Sequence, residues 1–490
     1  MRTEFGTPFR ALAAALLALA APAIAAEPRY ESAGTGVFGG RKLDWKSSVE
    51  TFVLDDAARI FTTSYRKAGK ADPARPVIFA FNGGPGSSSI WLHLGLLAPE
   101  RVDMDDATAP RTVAPFHMQP NPDSVLDVAD IVLIDPVGTG YSRLLPGGKP
   151  EQFLGVQQDA RATARVIRQW LLRHGRTNAP KYLLSESYGT IRAAAVAKLL
   201  AGGPTETGQM DGVTLNGIIL LGQAMDMARG AEGDDRGYLA LLPSLAATAC
   251  HFGKGPEGCT PEGQGDAARA YAADAYLKAL YAGSALPAAE RRAVAESLST
   301  LTGLPVAEVL EHDLRISAPV FARRLLAADG LALGLYDARF TLAAQGLAGD
   351  PVADDAAMGQ YVPAFVAGWE DYARRRLKVA SDEEYIAIAF RDVNGRWDWG
   401  RGPGIPPARN YATDLAAAMA RNPGLKLMVG TGWYDLVTPV GSAEYTIAHA
   451  GIPLGAVRFH TYRSGHMPYL GAAERRALAR DIRDFLREGE

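Results

Sequence analysis

Cysteine is almost missing from this chain: Cys250 and Cys259 are the only two among 490 residues. That excludes a small scaffold stapled by several disulfides, and with no histidines gathered near the pair a zinc site is not supported. An excess of one charge is missing too. The 51 basic and 54 acidic side chains leave a net charge of −3, so no basic field exists to hold nucleic acid or an anionic membrane. No Gly-Lys-Ser/Thr follows the glycine-rich stretches, and nucleotide binding through a phosphate loop is not supported. What is present, 48% hydrophobic and 21% charged residues, is the composition of a large globular protein. The length allows two or three domains, or one core carrying a large insertion.

The first residues resemble a targeting segment. Arg2 and Arg10 precede an apolar run at 11–21, and Ala23-Ile24-Ala25 supplies small residues where a signal peptidase cuts. The run falls short of the roughly 20 apolar residues that span a bilayer. A signal peptide is therefore expected over 1–26, giving an exported, periplasmic or extracellular chain with no membrane anchor after cleavage; the alternative is an uncleaved anchor. In an oxidising compartment Cys250 and Cys259, separated by a loop containing Gly253, Gly255, Pro256 and Gly258, fit a disulfide that restrains the unfolded chain by about 2 to 3 kcal/mol. Two unrelated buried thiols are the alternative.

Short aliphatic runs at 77–81, 131–134, 182–184, 218–221 and 427–429 end in glycine or acidic loops. They read as parallel strands buried on both faces. Helical patterns at 156–172 and 191–200 separate them, and 53–54 with 60–65 reads as a preceding hairpin. Alternation of this kind predicts an α/β fold with a doubly wound, mostly parallel sheet. From 226 to 404 the pattern turns to alanine- and leucine-rich helical stretches, such as 287–301 and 306–327, before the sheet pattern resumes. The expected division is a core of 27–225 and 405–490 interrupted by a helical cap at 226–404. A separate second domain is the alternative.

The strongest local signal is Tyr182-Leu183-Leu184-Ser185-Glu186-Ser187-Tyr188-Gly189 running into Thr190-Ile191-Arg192. It predicts a strand, a sharp turn and a helix. Small residues two before and two after Ser187 let a strained turn push its hydroxyl outward, where a histidine can take its proton. A carboxylate must fix that histidine, and the chain order Ser, Asp, His is a test. Asp435 follows the strand-like run 425–429, and His466 lies in the loop after the strand-like run 457–462. Both therefore fall at strand carboxyl ends, where open α/β sheets gather their ligands. Of the local rivals, His460 falls within a strand and His449 within a helical run. A donor for the oxyanion is expected in Asn82-Gly83-Gly84-Pro85-Gly86 after the first buried strand, whose bare backbone N–H groups can approach a substrate oxygen. Trp397, Trp399 and Tyr361 are candidates for lining the pocket, although core packing explains them better.

Four ordered segments, Asn82-Gly83-Gly84-Pro85-Gly86-Ser87-Ser88-Ser89, Asp135-Pro136-Val137-Gly138-Thr139-Gly140-Tyr141-Ser142, Glu186-Ser187-Tyr188-Gly189 and Ser464-Gly465-His466-Met467, resemble the serine carboxypeptidase family within the α/β-hydrolase fold. The resemblance covers about 30–225 and 405–485. It implies Ser187 as nucleophile, His466 as base, Asp435 as its orienting carboxylate, and the amides of Gly84 and Tyr188 as oxyanion hole. Asn82, Gly83, Glu186 and Met467 are implied as substrate contacts, Asn82 toward the terminal carboxylate. No metal or organic cofactor is implied, and the partner is a peptide or small acyl substrate.

Two departures stand out. Ser87 replaces the family's usual cysteine. Leu96 stands where the family pairs a second glutamate with the one before its nucleophile, so Glu186 lacks its expected partner. Two expectations follow: Glu100, one helical turn on, substitutes, or recognition of the terminal carboxylate is relaxed. The expected activity is release of carboxyl-terminal residues through an acyl-enzyme. An esterase or acyltransferase would use the same residues, and a noncatalytic binding protein on the same scaffold would need none of them.

Overall fold

The computed structural model describes residues 29–227, 233–346, 349–350, 352–400 and 409–488. The expected signal peptide and the expected return to the core at 405 lie outside them. One large sheet is built from Tyr30–Phe38 (β1), Arg41–Leu54 (β2), Ala58–Lys67 (β3), Val77–Phe81 (β4), Asp130–Ile134 (β5), Lys181–Glu186 (β6), Gly217–Leu221 (β7), Lys426–Gly432 (β8) and Val457–Tyr462 (β9). Their order across the sheet is β1-β2-β3-β5-β4-β6-β7-β8-β9, and the short strand Arg143–Leu144 pairs with β3. The first three strands pair antiparallel; β5, β4, β6, β7, β8 and β9 are mutually parallel. The chain thus shows the expected α/β-hydrolase arrangement, with the expected hairpin as β2 and β3. Asp55 and Asp56 turn that hairpin at φ of 53° and 52°, a left-handed conformation that aspartate tolerates better than most side chains.

The parallel strands show why unbroken apolar runs were needed. Along β4, Val77, Phe79 and Phe81 enter one core, while Ile78 and Ala80 enter the other. Period-two alternation sends apolar side chains to both faces, so both must be covered. Val156–Arg173 (α1) and Gly189–Leu200 (α2) cover the first face. Ala472–Arg487 (α6, after α3 to α5 below) covers part of the second through Leu478, Ile482 and Phe485.

Between β7 and β8, the stretch expected to form the cap, the described residues pack in separate groups. One, beginning with Arg236–His251 (α3), has its own core of Leu242, Leu245, Leu298, Val309 and Phe321, shared with Trp433 and Leu436. Cys250 at the end of α3 is bonded to Cys259, with Cα atoms 6.0 Å apart. The expected helix at 306–327 is broken into Val306–Glu311 and Ala318–Arg324. Asp313 and Leu314 take positive φ between them, and Ser317 caps the second piece by accepting from Val320 N at 3.4 Å. The other group, Met358–Arg375 (α4), packs against residues 90–102, with Phe365 beside Trp91 and Trp369 and Tyr372 edge-on to His93, and the Tyr372 hydroxyl lies 2.9 Å from that of Tyr65 in β3. Ile388, Ile386 and Asp398 form bridges to Ser87, Gly140 and Gly155. Val440–Ala448 (α5) then follows β8. Among the described residues no helix is long and apolar enough to cross a membrane.

Candidate active site

From residue 181 to 197, Ser187 is the only side chain not buried. It joins β6 to α2 at φ 58°, a conformation that costs a non-glycine residue of order 1 to 3 kcal/mol and persists only where surrounding contacts enforce it. Those contacts are visible. Ser187 N donates to Leu221 O of β7 at 3.0 Å. A Cβ at residue 189 would lie 3.0 Å from the carbonyl oxygens of Phe81 and Asn82, so the downstream glycine lets the helix start directly against the end of β4. Ser185, upstream, is fully buried.

Asp435 follows β8 and His466 follows β9. Their side chains meet: His466 Nδ1 and Asp435 Oδ2 are 2.8 Å apart. The carboxylate is held in turn by the turn it sits in, its Oδ1 accepting from Val437 N at 2.9 Å and Thr438 N at 2.8 Å, with the Thr438 hydroxyl on Oδ2. Burial disfavours the imidazolium, yet the charge and hydrogen bond of Asp435 raise the His466 pKa above its ordinary value. With Nδ1 committed to Asp435, Nε2 is buried and without a partner. His466 and Ser187 line one small cleft, together with Asn82, Gly84, Glu186 and Met467. They are not hydrogen-bonded to each other here, a contact that in unliganded enzymes is often loose and tightens with substrate.

The glycine loop closes against the elbow. A Cβ on Gly83 would come within 2.5 Å of Tyr188 N, so only glycine allows that approach. Gly84 has φ 103°, a backbone shape open to glycine at little cost. Among the described residues, neither the Gly84 nor the Tyr188 amide has an acceptor. Asp135 anchors the loop from below, accepting from Ser89 N at 2.8 Å and Ser89 Oγ at 2.6 Å.

Glu186 is buried. Its Oε1 accepts from Asn82 Nδ2 at 2.7 Å, while Asn82 Oδ1 accepts from Leu92 N at 3.1 Å. The buried hydroxyl of Tyr469 also acts on this carboxyl, lowering its pKa as the Asn82 bond does. Burial pushes the Glu186 carboxyl up to about 7, against the pull of the neighbouring His466 charge. The expected substitute, Glu100, does not reach it. Its carboxylate is paired with Arg375 at 2.6 Å and Arg376 at 3.0 Å, because α4 brings two arginines to it. Leu96 is fully buried in the core beneath the glycine loop.

Trp397, Trp399 and Tyr361 do not line the cleft. Trp397 and Trp399 meet Tyr188 edge-on at 5.2 and 5.6 Å, and Tyr361 packs beside Phe365 and Phe340. His449 stacks on Tyr445, and His460 pairs with Asp481 at 3.2 Å; neither lies near Ser187. The far wall comes instead from Tyr336, Met358, Ile388 and Phe390. Tyr336 meets His466 edge-on at 5.3 Å, and its carbonyl accepts from His466 N at 2.6 Å. Asp355 ties this wall together, accepting from Leu335 N at 2.5 Å and Met358 N at 2.9 Å. Sequence reasoning missed Thr438, Tyr336 and Asp355. Only Thr438 carried a local signal, since an aspartate two and three residues before backbone amides commonly accepts from both. A larger cavity of about 740 Å³ opens in the inserted block near Pro319 and Leu333, and is lined by neither Ser187 nor His466.

Residues 60–232 match the family model for serine carboxypeptidases, Peptidase_S10. Over that segment the chain is similar to the serine carboxypeptidases. A comparison with curated protein sequences returns no match. Among solved structures, the chain is similar to Kex1(delta)p, a prohormone-processing carboxypeptidase from Saccharomyces cerevisiae. The TM-score is 0.56 at 14% identity, covering 91% of this chain and 92% of that one. At that identity the likeness speaks for the fold. A proline iminopeptidase from Mycobacterium smegmatis gives 0.36 at 15% identity, covering 90% and 100%. A thermophilic esterase from Thermogutta terrifontis gives 0.34 at 14% identity, covering 90% and 97%.

Proposed function

We propose that this protein is an exported serine carboxypeptidase that releases carboxyl-terminal residues from peptides through an acyl-enzyme on Ser187. Support comes above all from the pairing of Asp435 with His466 Nδ1, which leaves Nε2 free of partners in the cleft that Ser187 lines. His466 Nε2 takes the hydroxyl proton as Ser187 Oγ attacks the scissile carbonyl. The Gly84 and Tyr188 amides receive the tetrahedral oxygen. His466 then protonates the leaving amine, and a water activated by the same nitrogen cleaves the ester. The Cys250–Cys259 bond supports an oxidising compartment. The parts of the inserted block that carry Tyr336, Met358 and Phe390 act as the cap over the bound substrate.

Asn82 and Glu186 meet the substrate's terminal carboxylate. With no second acid beside it, Glu186 supplies one proton by itself. Below its pKa of about 7 the neutral carboxyl donates to the substrate carboxylate; above it, two negative charges oppose each other. Protonation of His466 slows every substrate alike, so the rate on blocked dipeptides relative to the matching amides and esters should hold below about 7 and fall as pH rises through it. A strict acid optimum for the free carboxylate substrates would contradict this.

The lone Glu186 also favours a second reading, an esterase or acyltransferase using the same triad. Products formed with added amines or alcohols decide between them. Release of free amino acids in their presence supports the carboxypeptidase; dominant transfer products, or cleavage of esters only, support the alternative.

A further inference from the structure

Beneath the cleft lies a buried charge pair that no step of the reaction above uses. Arg192 of α2 is entirely buried. Its Nε donates to Asp159 Oδ2 of α1 at 2.7 Å, and its Nη1 donates to the backbone carbonyl of Asn82 at 2.5 Å. The guanidinium sits 5.3 Å from the ring centroids of both Phe81 and Tyr188. The Tyr188 hydroxyl donates to the same Asp159 oxygen at 3.4 Å. Neither charged residue lines the cleft.

A pair of this kind adds little to stability by itself, because desolvation of both charges cancels most of their attraction and apolar side chains of similar size would pack as well. Its contacts are instead distributed in a particular way. One arm holds the carbonyl of Asn82, immediately before Gly83 and Gly84. The guanidinium also lies near the Tyr188 ring, while Asp159 accepts from the Tyr188 hydroxyl. Those two segments carry the amides assigned to the oxyanion, and they approach so closely at Gly83 that a methyl group would collide with Tyr188 N.

We propose that Asp159 and Arg192 are positioning residues, a buried clamp that fixes the end of β4 against the elbow and sets the spacing of the Gly84 and Tyr188 amides. This rests on the serine carboxypeptidase reading. The clamp acts on the tetrahedral state and not on ground-state binding, because the amides are aimed at an oxygen that becomes charged only during reaction.

The test uses the full-length protein, a blocked dipeptide substrate, a peptide aldehyde that forms a tetrahedral adduct, and the product peptide as a ground-state ligand. In the double variant Asp159→Leu/Arg192→Met, both charges are removed while bulk is kept. It should melt close to the wild type yet lose about 10- to 100-fold in kcat, with KM within about twofold. Aldehyde affinity should fall by the same factor as kcat and product affinity should not change. Arg192→Lys, which keeps the charge but not the fork, should recover part of kcat. A folded double variant with wild-type kcat and aldehyde affinity overturns the clamp, as does an equal loss in product binding. Wild-type protein that hydrolyses nothing and takes no fluorophosphonate on Ser187 defeats the underlying reading, and this inference with it.

Discussion

Glu186 is the residue whose surroundings predict most. It lies close enough to His466 for each to favour the other's charged form. Glu186→Gln removes a negative charge, so the His466 pKa should drop and the acid limb of ester hydrolysis should move to lower pH; pH–rate profiles of the two proteins check this. The same residue affects stability. Its folded pKa is raised from 4.5 to about 7, so its contribution is fully present below about 4.5 and lost as pH rises through about 7. The gain from Glu186→Gln, relative to wild type, should therefore grow between pH 5 and pH 8 by an amount on the order of 3 kcal/mol. Urea unfolding at the two pH values measures it; a pH-independent difference would argue that the carboxyl is not shifted.

At the scale of elements, the elbow and the glycine loop form one unit. Gly83→Ala places a methyl group against Tyr188 N and must lift the loop. It should lower kcat by about 10²-fold while leaving α1 and α2 intact, as steady-state kinetics and circular dichroism would show together. The disulfide belongs to a different element. Removing it with Cys250→Ser and Cys259→Ser should cost about 2 to 3 kcal/mol on the loop-entropy model, felt in the body built around α3. Thermal melting with and without reductant tests this, and identical melts would contradict it. Most of this was legible in the sequence, because a strand–turn–helix with small residues around Ser187 is a local pattern. The break at Asp313 and Leu314 was not, since it depends on positive φ at residues that carry no glycine signal. Nor was the fate of Glu100, which is decided by two arginines some 275 residues away.

For the molecule as a whole, the strand order puts the ends of β4, β6, β8 and β9 on one edge; their loops deliver Asn82, Ser187 and His466 to one cleft, with Asp435 buried and bonded to His466. Chain order and strand ends were readable because both follow from alternation of buried runs with helices. Which core each part of the inserted block joins was not. The partner of 358–375 is the segment 90–102, more than 250 residues earlier in the chain, and no local pattern announces such a contact. Tyr336 and Asp355 were hidden for the same reason, being joined to the site only through contacts distant in the chain.

The most direct test of the whole account is covalent labelling of the folded protein with a fluorophosphonate, followed by peptide mapping. The adduct should form on Ser187 alone, at a rate that rises as His466 loses its proton and collapses in His466→Gln. A well-folded wild-type protein left unlabelled, or labelled at another serine, would contradict the assignment of this cleft as the site of catalysis.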